Sequence, residues 1–186
     1  MSKKYQRLCA YIKSDYMRYG GRVGILYFFS MYMRNHGFAF SLWLRLCRER
    51  TVFYPIAKIM HRRYMGKYGL QIPPETKIGY GLYLGHGIGI LVNKTVTIGN
   101  NCNLSQFVSI GTNHGKGAMI GNNVYIGPSV CIVEDVHIGD NATIGAGSVV
   151  VKDVPLNATV AGVPAKVLNY NNPGRYIKKR YEYQNK

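Results

Sequence analysis

From Ile78 to Val150 apolar side chains return every six residues, a period that fits neither a helix nor an ordinary amphipathic strand. Aliphatic anchors fall at Ile78, Leu84 and Ile90, at Ile98, Leu104 and Ile110, and then at Ile120, Ile126, Ile132, Ile138, Ile144 and Val150. Two residues before most anchors sits a second apolar or small side chain, among them Leu82, Val96, Val108 and Val124. Alternation places both on the inner face of a short strand. Glycine follows many anchors, where it supplies a close approach or a turn that a Cβ would obstruct. Strands this short, turning every six residues, coil instead of forming a flat sheet, and each coil buries its face against the next. The pattern predicts a parallel β-helix. Its register slips twice, by two residues between Ile90 and Ile98 and by four between Ile110 and Ile120.

Ahead of the repeat, the period is helical. "KKYQRLCAYIKSDYMRY" spaces Leu8, Ile12, Tyr16 and Tyr19 along one face, Gly20-Gly21 predicts a break, and a second helix with an interruption near Gly37 and a third over Tyr54–Tyr68 follow. Aromatic and methionine residues from Phe28 to Trp43 read as packing surface. Pro73-Pro74 marks the change of pattern. The expected organisation is a helical, basic and aromatic region over 1–70, a β-helix over 71–168 and a basic tail over 169–186.

The formal charge of +16 is confined to the ends. Residues 1–68 hold 14 Lys and Arg against Asp15 and Glu49, net +12, whereas residues 69–172 balance five lysines with five acids. No nucleic-acid-binding motif accompanies the charge, so no nucleic acid is expected as a partner. A solvated helix face or an anionic membrane surface remain as readings of the basic end. The longest apolar stretch, between Arg22 and Arg34, is far short of the roughly 20 residues that a membrane span needs. Four scattered cysteines with no metal spacing, and no signal-peptide pattern at the start, are expected of reduced thiols in a cytoplasmic protein, with peripheral contact at the inner face of the plasma membrane as an option.

His86 lies in "YLGHGIGILV", two residues after the anchor Leu84. Other hexads hold Tyr80, Asn100, Gln106, Asn122, Pro128 or Asp140 in that slot, which is therefore polar and faces a turn. Spacing alone leaves two readings, a catalytic histidine and a surface one without a role.

The stretch "IGYGLYLGHGIGILVNKTVTIGNNCNLSQFVSIG", with "IGAGSVVVKDVP" and "AGVPAKVL" downstream, resembles the hexapeptide-repeat acyltransferases. The likeness is to the serine acetyltransferase branch and its relatives that O-acetylate surface polysaccharides such as colanic acid, and it covers residues 70–167. The resemblance implies a left-handed β-helix with three hexads to a coil, hence about four coils, with both extra loops at the same corner. It implies a homotrimer with acetyl-CoA in a groove between subunits and His86 as general base for direct transfer to a hydroxyl. An imidazole suits that task near neutral pH. It further implies that Gly127, Pro128, Gly145 and Ala146 line the pantetheine arm, with Lys152 and Lys166 near the phosphates.

Two departures bear on the acceptor. Serine acetyltransferases carry an aspartate where this chain has Gln71 and another where it has Gly85. Their loss removes the obvious partners of an ammonium group, so the expected acceptor is a neutral sugar of a surface glycan or its precursor, held by Gln71, Asn113 and His114. Serine O-acetylation is the alternative, and a non-catalytic trimeric scaffold a further one. A zinc hydratase would need three converging imidazoles, and the spacing of His86, His114 and His137 does not supply them, so no metal is expected.

Overall fold

The computed structural model describes residues 2–113 and 115–182. Among these, four helices come first: α1 (Lys3–Arg18), α2 (Ile25–Arg34), α3 (His36–Glu49) and α4 (Tyr54–Tyr68). The interruption expected near Gly37 falls at Asn35. There the backbone turns extended, and the Asn35 side-chain oxygen accepts from the Phe38 N–H at 3.1 Å, capping α3. Helix α4 opens on Pro55, whose missing N–H is one the first turn leaves unpaired anyway, and closes on Gly69 in the left-handed region. Helix α3 is central. Its Phe38, Ala39, Phe40 and Leu44 are buried, and it packs on α1, α2 and α4.

Three strands make each coil. The first coil holds β1 (Lys77–Ile78), β2 (Tyr83–Leu84) and β3 (Leu91–Val92). The second holds β4 (Thr97–Ile98), β5 (Asn103–Leu104) and β6 (Ser109–Ile110), and the third β7 (Met119–Ile120), β8 (Tyr125–Ile126) and β9 (Cys131–Ile132). The fourth holds β10 (His137–Ile138), β11 (Thr143–Ile144) and β12 (Val149–Val150). Equivalent strands pair in parallel and in register, so the left-handed β-helix has three faces: β1-β4-β7-β10, β2-β5-β8-β11 and β3-β6-β9-β12. The second residue of every one of these strands is buried, stacking an aliphatic column inside each face. Each such side chain contributes about 1.5–3 kcal/mol by leaving water. A short fifth turn follows, with β13 (Thr159–Ala161) on β11 and β14 (Lys166–Asn169) closing it antiparallel.

Eleven of the twelve expected anchors end a strand. The exception is the third, where Val92 and not Ile90 pairs with Ile110. Both residues are buried, so hydropathy does not separate them. The backbone does, through Leu91 N–H to the Val108 carbonyl and Val92 N–H to that of Gln71. The eight-residue interval therefore runs from Leu84 to Val92, and the first extra loop sits at the corner between the second and third faces. The second loop, around Gly111–Ala118, sits at the corner between the third and first faces. The two loops do not share a corner, contrary to expectation.

The helices close the first coil. Phe40, Leu44, Leu70 and Ile72 belong to the same apolar core as the coils. Beside them, Arg45 reaches Asp15 with two hydrogen bonds at 2.9 and 3.0 Å, both residues nearly inaccessible, and also donates to the carbonyls of Ile78 and Gly79. Asp15 accepts in turn from the Leu82 N–H. At the far end of the chain, the tail runs back over the second face. Gly174 N–H donates to Asn141 O, Asn103 Nδ2 to Tyr176 O and Tyr181 N–H to Asn101 Oδ1, and Tyr176 packs on Tyr125 with ring centroids 4.6 Å apart. The second face is thus covered, while Leu91 and Cys131 leave the third face open.

Candidate active site

The register of the second face aligns the corner that follows it. Leu84, Leu104, Ile126 and Ile144 lie one above another, and Val160 continues the column. Gln106, Pro128, Ala146 and Gly162 stand two residues on, one per coil along a single edge, with Ile88 in the stacked position of the first coil and His86 in the inserted turn just before it. At about 4.8 Å between paired strands, the corner that carries the His86 turn and the Gly162 corner are roughly 19 Å apart along it. Lys166 lies four residues beyond Gly162, at the end of the edge remote from His86.

His86 sits in the inserted turn with φ +60°, a left-handed conformation uncommon for residues other than glycine, and its side chain is exposed. Several elements hold the turn. Gly85 N–H donates to Leu104 O at 2.7 Å, Gly89 N–H to Tyr68 O at 2.8 Å, and Phe107 N–H to Ile88 O at 3.2 Å. The Tyr19 hydroxyl accepts from Leu84 N–H at 2.8 Å and donates to the Leu84 carbonyl at 3.3 Å. Burial pushes that phenol well above its ordinary pKa, so it keeps the proton that the second bond requires. At Gly87 the start of α3 comes so close that an added Cβ would stand 2.5 Å from the Gly37 nitrogen. His36 joins the same junction, stacked on Tyr68 at 4.3 Å. An imidazole on a turn pinned by α1, α3 and α4 is fixed in place while its ring faces solvent, which is what proton transfer to a diffusing substrate asks of it.

The other expected residues divide between two edges of the third face. Pro128 and Ala146 share the His86 edge. Gly127 and Gly145 lie beneath the coils that follow: a Cβ on them would meet Ile144 O at 2.8 Å and Ala161 Cβ at 2.9 Å. Coil stacking accounts for their smallness. At the neighbouring turn residue Gly147 the space is open, with nothing within 4 Å of an added Cβ. Asn113 and Lys152 lie at the opposite edge, whereas Gln71 lies on the third face itself, beside Leu91 at the start of β3. Gln71 and Asn113 line one open cleft of about 490 Å³ with Asn93 and Thr112. The Gln71 backbone also extends the third face by bridging Leu91. A strand and its turn, on the order of 15–20 Å, separate this edge from His86. His114 lies outside the described residues. Among the described residues no three His, Cys, Asp or Glu side chains gather as a metal site.

Sequence reasoning missed Tyr19, His36, Gly37 and Phe107. Tyr19 sat within an apolar helical stripe and Gly37 read as a helix break, so neither pointed to the turn 50 or more residues downstream. Phe107 carried a signal: it stands in a turn position that the other coils fill with Gly, Asn, Asp or Ser.

Residues 117–152 match the bacterial transferase hexapeptide (six repeats) family. The serine acetyltransferase of Staphylococcus epidermidis is 38% identical over 121 residues, covering 63% of this chain and 56% of the relative. That of Synechococcus elongatus is 36% identical over 107 residues, covering 54% and 43%. The chain thus spans about half the length of the curated relatives it matches. The serine acetyltransferase of Neisseria gonorrhoeae, solved in complex with serine, superposes with a TM-score of 0.70 at 33% identity, covering 88% of this chain and 68% of that one. These findings overturn the surface-glycan acceptor expected from the sequence. That expectation treated Gln71 and Gly85 as lost ammonium partners. Neutral side-chain and backbone oxygens also accept from an ammonium group, so two missing carboxylates do not decide against an amino acid. The twelve-strand β-helix, the pinned histidine turn and these matches place the chain in the hexapeptide-repeat transferase family, on its serine acetyltransferase branch.

Proposed function

We propose that the protein is a serine O-acetyltransferase that moves an acetyl group from acetyl-CoA to the hydroxyl of L-serine by direct transfer. The observation that carries this reading is the single edge running from His86 through Pro128 and Ala146 to Lys166. A long thioester substrate laid along it brings its reactive end to the histidine, and the ammonium of Lys166 stands where the phosphates would lie. His86 accepts the hydroxyl proton as the serine oxygen attacks the thioester carbonyl. Collapse of the tetrahedral adduct breaks the carbon–sulfur bond, and the imidazolium returns the proton to the departing thiolate. The serine acceptor is supported by the relatives, one of them solved with serine. Thiol release that depends on L-serine and is lost in His86→Ala tests the reading. Serine-independent release, or an undiminished rate in the variant, would sink it.

A homotrimer is part of the proposal. Asn113 and Lys152 stand a strand length from His86 within one chain, and the third face between the two edges is uncovered. Setting one subunit's His86 edge against the next subunit's opposite edge would unite them.

The basic end supports reversible contact with an anionic membrane surface. Among residues 2–68 the two carboxylates, Asp15 and Glu49, are buried against Arg45 and Arg7, so that side of the molecule shows cations without exposed acids. Helix α2 buries none of its residues, leaving Leu26 80% and Met33 75% exposed. No helix among the described residues is long and apolar enough to cross a membrane. Sedimentation separates these ideas: without lipid the protein should run as three 20.9 kDa chains, and vesicles containing anionic lipid should pellet it in low salt and release it in high salt. Equal pelleting with neutral vesicles would remove the electrostatic part of the reading.

A further inference from the structure

Most corners of the β-helix place a residue in the left-handed region. The chain fills these positions with Gly81, Gly87 and Gly147, with Asn101, Asn123, Asn141 and Asn157, and with Asp135 and Ser129. Glycine tolerates that conformation, and short polar side chains support it with local hydrogen bonds. His86, in the inserted turn of the first coil, and Phe107 on the second coil depart from that choice, and Phe107 is the one of the two that carries no proton-transfer role. Its φ is +60°, its side chain is bulky, and 56% of its surface is exposed, so burial does not compensate the strain.

Its place explains what the ring is doing there. Phe107 belongs to the second coil, at the corner that carries His86 on the first. The ring lies against Gly89 of the His86 turn: a Cβ on Gly89 would be 2.5 Å from Cδ1 and 2.9 Å from Cε1. Ile88, also exposed, adds apolar surface beside it. The equivalent turn residues of the next two coils shrink to Ser129 and then Gly147, where the space is open. The edge is therefore roomy toward Lys166, and an aromatic ring stands against the histidine turn where the edge ends. A thioester that reacts at His86 brings its acyl group to the turn on which that ring packs.

We propose that Phe107 is the specificity-determining residue for the acyl group, its ring filling the space that carbons beyond the acetyl methyl would occupy. This rests on the acyl-transfer reading above. It explains why a strained, exposed aromatic stands at a position built for glycine, and why Gly89 faces it.

The test compares wild type, Phe107→Gly and Phe107→Tyr. Glycine suits the backbone at this position, so the first variant should fold at least as well as the parent, and tyrosine keeps the ring. Steady-state kcat/KM with L-serine is measured for acetyl-, propionyl- and butyryl-CoA. The expected result is a butyryl-to-acetyl ratio at least about tenfold higher in Phe107→Gly, the low end of what one methylene is worth in an apolar pocket, and close to wild type in Phe107→Tyr. An unchanged ratio in Phe107→Gly overturns the proposal. So does a variant that falls apart into single chains with no change in chain-length preference, because Phe107 would then be a packing residue between subunits. Titration calorimetry with the same thioesters needs no acceptor and reads the ratio as Kd. If wild type binds acetyl-CoA and shows no serine-dependent turnover, the serine reading fails while that binding ratio still decides the role of Phe107. If no thioester binds, both fail.

Discussion

At Gly37 a hydrogen in place of a side chain lets α3 reach the turn that carries His86. An added Cβ there would lie well inside van der Waals contact with the Leu84 carbonyl oxygen and 2.8 Å from the Tyr19 hydroxyl. Backbone and a buried phenol have little room to yield. Gly37→Ala should therefore cost about 1–3 kcal/mol of stability, as overpacking does, and lower kcat by displacing the histidine. Gly66 is the counterpart within α4, with nothing within 4 Å of an added Cβ. Gly66→Ala should stabilise by about 0.5–1 kcal/mol through helix propensity. Urea midpoints of the two variants, moving in opposite directions, check the pair. At this scale the sequence was partly legible. His86 stood out because its slot faces a turn, but its buttresses did not, since Tyr19, His36 and Tyr68 reach it only through the packing of helices on the first coil.

Between elements, a buried ion pair joins Asp15 on α1 to Arg45 on α3. It also ties both helices to the first coil through Leu82 N–H and the carbonyls of Ile78 and Gly79. Removing one partner leaves the other charge buried without compensation. Asp15→Ala should cost about 3–5 kcal/mol, read from thermal or denaturant unfolding. A loss below about 1 kcal/mol would mean that water reaches Arg45 and that the helices are not locked to the coil as described. The sequence carried the elements better than the bonds between them. A six-residue period located eleven of twelve strand ends, because each anchor must point into a narrow apolar interior. It failed at Ile90, where two buried aliphatics two residues apart are equivalent by hydropathy and only hydrogen bonds to Gln71 and Val108 choose between them. That one displaced anchor moved the first loop to the wrong corner and hid the fact that the insertion is the histidine turn itself.

For the whole molecule, the fold was legible and the acceptor was not. A repeat averages over many residues, whereas the acceptor was inferred from two absent carboxylates, and relatives that act on serine overturn that inference. The layout of the two edges follows from the register and had no counterpart in the linear pattern. His86, Pro128, Ala146 and Lys166 lie along one edge of the third face, Asn113 and Lys152 lie along the other, and Gln71 pairs with Leu91 on the face between them. The measurement that tests the central claim most directly is release of CoA thiol from acetyl-CoA on addition of L-serine, by wild type beside His86→Ala. The account predicts serine-dependent release by the wild type that falls by about 10²–10⁴-fold in the variant. No release with serine, or equal release by both proteins, would contradict it.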